Sequence, residues 1–296
     1  MPNILYPPPR PQSVGEILDS AFRIFGATLL KCLPYSFLAV IVGHLATMYD
    51  LASGHPIVPT TLRARQSHDP LWWTLFVVAI FATVTLTNAV LLRQYALATG
   101  RPAATGTELS TGARRVPGVL LIAIVMTLAV VATFIPLFLV AALMSIGSST
   151  APSPAVIWAI AGLCVLALIP ASWALIRWIC ALPVYLLTDR GPVASMSHSW
   201  QLTAGNFWRL SVIYAVGIAL IIVLYVLSGV IGAVVALLLA HGDVAVVTAT
   251  GAVVVTLLGA VVTPFYSALV LAVFGDVSVR REGADLAQRL SAPATQ

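Results

Sequence analysis

The sequence predicts an all-α integral membrane protein with six transmembrane helices and amphipathic interfacial helices on the cytoplasmic side. Three observations predict it. The 296 residues are 60% hydrophobic and 8% charged, with a mean hydropathy of +1.01, whereas a soluble domain carries about 25% charged residues and needs that polar cover for its surface. The apolar residues fall into six runs, and a helix needs roughly 20 residues to cross the hydrocarbon core. Arg residues gather at the ends of those runs, so the net charge of +5 reads as membrane orientation. Nucleic-acid binding is not expected.

The elements follow in chain order. Residues 1–12, "MPNILYPPPRPQ", are Pro-rich and suggest an extended, polyproline-like lead without the charged start and apolar stretch of a cleavable signal. In "SVGEILDSAFRIFG" (13–26), Val14, Ile17, Leu18, Ala21, Phe22 and Phe25 recur at the spacing of an amphipathic surface helix. Ser13 and Glu16 form a capping box at its start. Lys31 then opens a first, short apolar run, Cys32 to Met48. The following loop, "YDLASGHPIVPTTLRARQSHDP", is placed outside. Its His55, His68 and Asp69 fit no helix-face ligand pattern and are expected to be ordinary exposed side chains.

The second run, Leu71 to Leu92, has no formal charge but carries Thr83, Thr85, Thr87 and Asn88 on a polar side. Burying such groups in lipid is costly, so this side either faces the bundle interior, where Asn88 can bridge two helices, or lines a solute cavity. The third run is Val116 to Ile146 and the fourth Ala155 to Ile176, which ends at Arg177. That Arg is expected to snorkel to the interface. The fifth, Leu210 to Ala240, carries a small-residue stripe of Ser228, Gly232, Ala236 and Ala240 suited to close helix packing. The sixth is Val244 to Gly275. Pro136, Pro170 and Pro264 offer kink points within the runs.

Charge orients these helices. The connections 147–154 and 241–243 hold no Lys or Arg. Those after the second and fourth runs hold Arg93, Arg101, Arg114, Arg115, Arg190 and Arg209, and the tail holds Arg280, Arg281 and Arg289. Positive segments stay in the cytoplasm, which places both termini there and outvotes Arg63 and Arg65 of the first loop. The resulting plan is a single membrane domain over 13–276 and a cytoplasmic tail over 277–296. Asp276 is expected where the sixth helix leaves the bilayer, with Arg280 and Arg281 anchoring it. Leu286 and Leu290 are spaced for a short helix that folds back and docks through Arg281 or Glu282.

An internal repeat underlies the plan. "GTELSTGARRVPG" (106–118) aligns with 13–26 at an offset of 92, pairing Glu16 with Glu108. "ASMSHSWQLTAG" (194–205) aligns with 106–118 at about 87, pairing Leu109 with Met196 and Gly118 with Gly205. Each segment precedes two apolar runs. The pattern predicts a three-fold parallel repeat of surface helix plus hairpin.

Catalytic constellations are missing from the sequence: it holds no HExxH, GxSxG or Walker A loop. Asp50 and Asp243 resemble the acids of intramembrane aspartyl proteases, but Ala240 departs from the GxGD pattern. The two acids also sit at helix ends where water solvates them separately, so they do not share a proton. Cys32, Cys164 and Cys180 have no CxxC spacing and read as buried small hydrophobes. No metal and no cofactor are expected.

Three stretches together resemble one family: "SVGEILDSAFRIF", "LLTDRGPVASMSHSWQLTAGNFWRL" and "GDVSVRREGADL". Ser199, Trp200, Leu202, Gly205, Phe207, Trp208 and Arg209 form the more specific part, with Asp276, Arg280, Arg281 and Glu282 of the tail. They resemble the glycerophosphoryl diester phosphodiesterase membrane domain and its YciC-like relatives among bacterial inner-membrane proteins. In fused members of that family the phosphodiester chemistry belongs to a soluble barrel of about 250 residues, so the resemblance implies a membrane module and not an enzyme. The expected function is a non-enzymatic, multi-pass module of the bacterial inner membrane that organises lipids or envelope proteins. Membrane lipids are its expected partners, together with a second copy or an envelope protein. Trp200, Phe207, Trp208 and Arg209 would meet headgroups, with Arg280, Arg281 and Glu282 at the same interface. Asn88, Arg93 and Arg177 are the candidate intramembrane polar residues. The alternative is a permease for a lipid-like or small amphipathic solute.

Overall fold

The computed structural model describes residues 5–53, 69–145, 154–240 and 244–283. All regular structure among them is α-helical: α1 (Val14–Gly43), α2 (Leu45–Ala52), α3 (Pro70–Ala98), α4 (Thr105–Arg114), α5 (Val116–Ser145), α6 (Pro154–Arg177), α7 (Ala181–Leu187), α8 (Pro192–Leu202), α9 (Phe207–Ala240) and α10 (Val244–Glu282). Six spans are long and apolar enough to cross a membrane: Val14–Gly43, Pro70–Ala98, Val116–Val140, Val156–Leu187, Phe207–Ala236 and Thr256–Glu282. His55, His68, Asp243, the connection 147–153, Leu286, Arg289 and Leu290 lie outside the described residues.

The chain forms two compact units, residues 1–116 with 212–296, and residues 117–211. In the first unit α1, α3 and α10 pack on one another, while α2 and α4 lie against α3. The expected surface helix at 13–26 is corrected here: it is the first half of α1, a single helix of 30 residues. The physical reason is an unbroken apolar stripe. Ile17, Ala21, Ile24, Thr28, Cys32, Tyr35 and Ala39 are all buried and recur three or four residues apart straight through the presumed break. Gly26 costs a helix only about 1 kcal/mol, too little to end it. Ser13 does cap the helix as expected, accepting from the Glu16 amide while Glu16 accepts from the Ser13 amide at 2.6 Å. At the far end the chain turns at His44 and restarts as α2, which takes the residues Leu45 to Met48 of the first apolar run.

The sixth run also departs from expectation. Helix α10 does not end at Gly275 but continues to Glu282, and its second half is the core of this unit. From Phe265 to Val279 nearly every residue is buried, including Ser267, Asp276 and Ser278. Its first half is different: Val253 and Leu257 are exposed. A helix that is apolar all round sits either in lipid or in a protein core, and α10 does one at each end. Gly232 and Ala236 of the small stripe face this helix or lie buried, with Val254 3.2 Å from where a Gly232 Cβ would stand. The side chains of Ser228 and Ala240 lie outside those described.

In the second unit α7 packs on α8. Three residues of turn, Trp178 to Cys180, separate α6 from α7. The outer faces of α5 and α6 present large apolar side chains such as Phe138 and Trp158, as a lipid solvent requires. Pro136, Pro170 and Pro264 lie inside helices that run on through them.

Candidate functional site

Three polar clusters gather the residues that the sequence singles out, and each forms where a long helix runs out of apolar residues. The first lies in the first unit at the end of α3. Arg93 ends the charge-free stretch of this helix, and Glu108 projects from the first turns of α4. Arg93 Nε lies 3.0 Å from Glu108 Oε2, with the two side chains only 16% and 7% exposed. The contact is out of line for a hydrogen bond, so it is chiefly coulombic. The guanidinium is completed by other partners. It donates to the Lys31 carbonyl and to the Thr105 hydroxyl, both at 3.0 Å. Its plane stands 4.7 Å from the Tyr35 ring centre, a cation–π distance. The Tyr35 hydroxyl donates to Glu108 Oε2 at 3.3 Å, while Glu108 Oε1 has no hydrogen-bond partner.

Two amides extend the cluster. Asn88 is buried and donates to the Gly112 carbonyl of α4 at 3.2 Å. This needs α4 to lie directly on α3, and Gly112 permits it: a Cβ there would stand 2.8 Å from the Thr85 carbonyl oxygen. Gln94, fully buried, donates to Thr28 of α1 at 3.3 Å and to the Pro264 carbonyl of α10 at 2.8 Å, so one side chain ties three helices. The threonines of α3 are likewise bonded internally. Thr83 donates to the Ala39 carbonyl, Thr85 to Phe81 and Thr87 to Thr83.

The second cluster lies in the second unit around Arg177. The sequence expects this side chain to snorkel. In the structure it lies half-buried between aromatic faces, 4.9 Å from the Trp200 ring centre and 5.6 Å from Trp173, and donates to the Trp200 carbonyl at 3.3 Å. The unpaired carbonyl that ends α6 is met from α8: Ser199 and Thr203 both donate to the Arg177 oxygen, at 2.8 and 3.2 Å. Ser199 also accepts from the Cys180 amide at 3.2 Å. Trp200 is half-buried against Trp173 and Trp178. Gly205 has a φ of 76°, which favours glycine, and reverses the chain into α9. Beyond it Phe207 and Arg209 are half-buried, and Trp208 is 81% exposed.

The third cluster joins the Pro-rich lead to the end of α10, in the first unit. Asp276 is wholly buried and accepts from the Gln12 amide at 2.7 Å. Arg280 donates to Asp276 at 3.0 Å and to the Gln12 carbonyl at 2.6 Å. The Tyr6 ring covers Gly275, where a Cβ would meet it at 2.7 Å, and the Leu5 amide donates to the Ala98 carbonyl at 2.8 Å. Asp276 is therefore paired within the protein, and the Pro-rich lead is docked on the end of α10. Arg281 and Glu282 are exposed at the last turn of α10.

Reasoning from sequence passes over Tyr35, Gln94 and Glu108 as a site. A signal was present for Glu108, because no other Asp or Glu stands between Asp69 and Asp189. Among the described residues no group of three or more His, Cys, Asp or Glu side chains is placed to hold a metal ion. The arrangement can join helices and hold buried charge.

The family model described as the membrane domain of glycerophosphoryl diester phosphodiesterase matches residues 135–285. That range takes in the Arg177 cluster and Asp276, and leaves out Arg93 and Glu108. Neither a curated protein nor a solved structure matches the chain.

Proposed function

This chain belongs to the family of the membrane domain of glycerophosphoryl diester phosphodiesterase, and we propose that it acts as a non-enzymatic, lipid-associated module of the bacterial inner membrane with both termini in the cytoplasm. It is a polytopic membrane protein with six spanning helices. One observation carries the reading: Thr83, Asn88 and Gln94 of α3 tie that helix to its neighbours, while Thr85 and Thr87 bond back to carbonyls of α3 itself. Asn88, the α3 threonines and Gln94 are bonded to carbonyls or hydroxyls of the protein, which removes the main motive for a solute pathway along α3. The family is named for a membrane domain and not for a catalytic one. Exposed Trp208, with Phe207 beside it at 5.3 Å, suits the headgroup layer in which such rings are enriched.

The test separates this reading from transport. The protein in nanodiscs should retain co-purified phospholipid in native mass spectrometry, and Trp208→Ala should retain less at unchanged stability. Proteoliposomes should show no saturable uptake of a glycerophosphodiester. Saturable uptake that a charge-neutralising Glu108→Gln substitution abolishes would establish the transport reading instead.

A further inference from the structure

Helix α1 presents two basic side chains, Arg23 and Lys31, that no described residue neutralises. Arg23 and Lys31 are exposed, and among the described residues neither has a hydrogen bond or an ion pair from its side chain. Asp19, one turn before Arg23, is not in ion-pair contact with it, and Glu16 is taken by Arg10 at 2.5 Å.

The two cations border one cavity of about 480 Å³, whose other walls include Leu5, Phe22, Gly26 and Leu97. Arg23 also lines two adjoining cavities of about 210 and 230 Å³ along the Pro-rich lead. Eight residues separate the cations, about 12 Å along the helix and within about a quarter turn of one another. Between them stand Gly26 and Ala27, so the space that both side chains can reach is left open. A Cβ built on Gly26 would meet nothing within 4 Å.

The level of the cavity matters as much as its charge. Lys31 is the last formal charge of α1 before the apolar stretch from Cys32, and its carbonyl is held by Arg93, the first charge after the apolar stretch of α3. Both helices change from apolar to polar at this level. A cavity there, cationic at its rim and lined by Phe22, Leu5 and Leu97, with Leu30 82% exposed beside it, is complementary to one chemistry: a phosphate attached to an acyl chain. From this we infer that the groove of Arg23, Gly26 and Lys31 is a binding site for an anionic glycerophospholipid. The phosphate sits over Gly26 and Ala27 within reach of the two cations, and an acyl chain lies along Phe22 and Leu30. The inference rests on the lipid-associated reading and makes it specific in place and charge.

The experiment is native mass spectrometry of the full chain from nanodiscs containing equal phosphatidylglycerol and phosphatidylcholine. The wild type should retain phosphatidylglycerol preferentially. The Arg23→Gln/Lys31→Gln pair should lose that preference by about thirtyfold, since each base near a lipid surface contributes roughly 1 kcal/mol. Gly26→Leu should do the same without touching a charge, because the new side chain occupies the open space and replaces a poor helix former with a good one. Its thermal midpoint, equal to or above that of the wild type, shows that the fold is intact. Wild-type preference for phosphatidylglycerol in either variant overturns the site. Competition by millimolar inorganic phosphate as effective as that by the lipid also overturns it, and assigns the groove to a free anion. If the wild type keeps no phospholipid of either kind, the broader lipid-associated reading fails as well; if it keeps both equally, only the site fails.

Discussion

At the end of α3 an arginine meets a carboxylate, and at the end of α6 an arginine meets two tryptophan faces and a carbonyl. Both junctions hold a short helix, α4 or α8, against the end of the long helix before it. Gly112 of α4 lies against the Thr85 carbonyl, and Ser199 of α8 bonds the Arg177 carbonyl. These positions are 199 − 112 = 87 residues apart, the offset at which the sequence aligns the two segments, while their partners are 177 − 85 = 92 apart. Leu109 and Met196, paired by the same offset, both pack inward. The difference lies in how each cation is stabilised. Arg93 is only 16% exposed, and a charge so deeply buried needs a counter-charge. Arg177 is half-buried, where ring quadrupoles and a carbonyl suffice. The carboxylate junction is therefore the brittle one, and the aromatic junction the tolerant one.

The comparison is broken most directly at Glu108. Glu108→Ala leaves Arg93 buried without a counter-charge and should destabilise the protein by about 3–5 kcal/mol. Arg93→Met/Glu108→Leu should recover most of that loss, because replacing a whole buried pair with apolar residues is often neutral. Unfolding by increasing mole fraction of dodecyl sulfate, followed by circular dichroism, measures both. An equal loss in the double variant would show that the cluster acts through shape and not charge. Next in size is Gly112→Ala, expected to cost about 1–3 kcal/mol by forcing a Cβ onto the Thr85 carbonyl. The same assay should show it, together with faster amide exchange across α4. Smallest is Ser199→Ala, at about 1 kcal/mol, since Thr203 still bonds the Arg177 carbonyl and only the Cys180 amide loses its side-chain partner. A cost for Ser199→Ala matching that of Glu108→Ala would erase the distinction between the junctions.

Much of this was legible from residues. Asn88 in an apolar run has to find a partner, and it does, in α4. Ser199 and Trp200 stand out as a motif, although nothing in their spacing says that they close the break after α6. Glu108 carried a signal in its isolation, because a lone acid among nearby arginines in an apolar chain is a natural counter-ion. Asp276 carried a partial one. An acid four residues before an arginine at the end of an apolar run reads as the level where a helix leaves the bilayer, but nothing local names its partner, the Gln12 backbone, 264 positions away in sequence. The burial of α10 from Phe265 to Val279 was also hidden, since lipid and protein core demand the same apolar residues.

Composition and periodicity by themselves determined the class: an α-helical chain whose six apolar stretches can cross a bilayer, with capped starts and small-residue stripes. These follow from local physics, in which apolar length sets a span and backbone hydrogen bonds must close within each helix. Tertiary structure alone decided which apolar faces meet lipid and which meet protein, and which charges are neutralised. It paired Glu108 with Arg93, stacked Arg177 on Trp200, docked the Pro-rich lead on Asp276, and left Arg23 and Lys31 facing an open groove. Those outcomes depend on contacts between residues far apart in the chain, and no local pattern carries them.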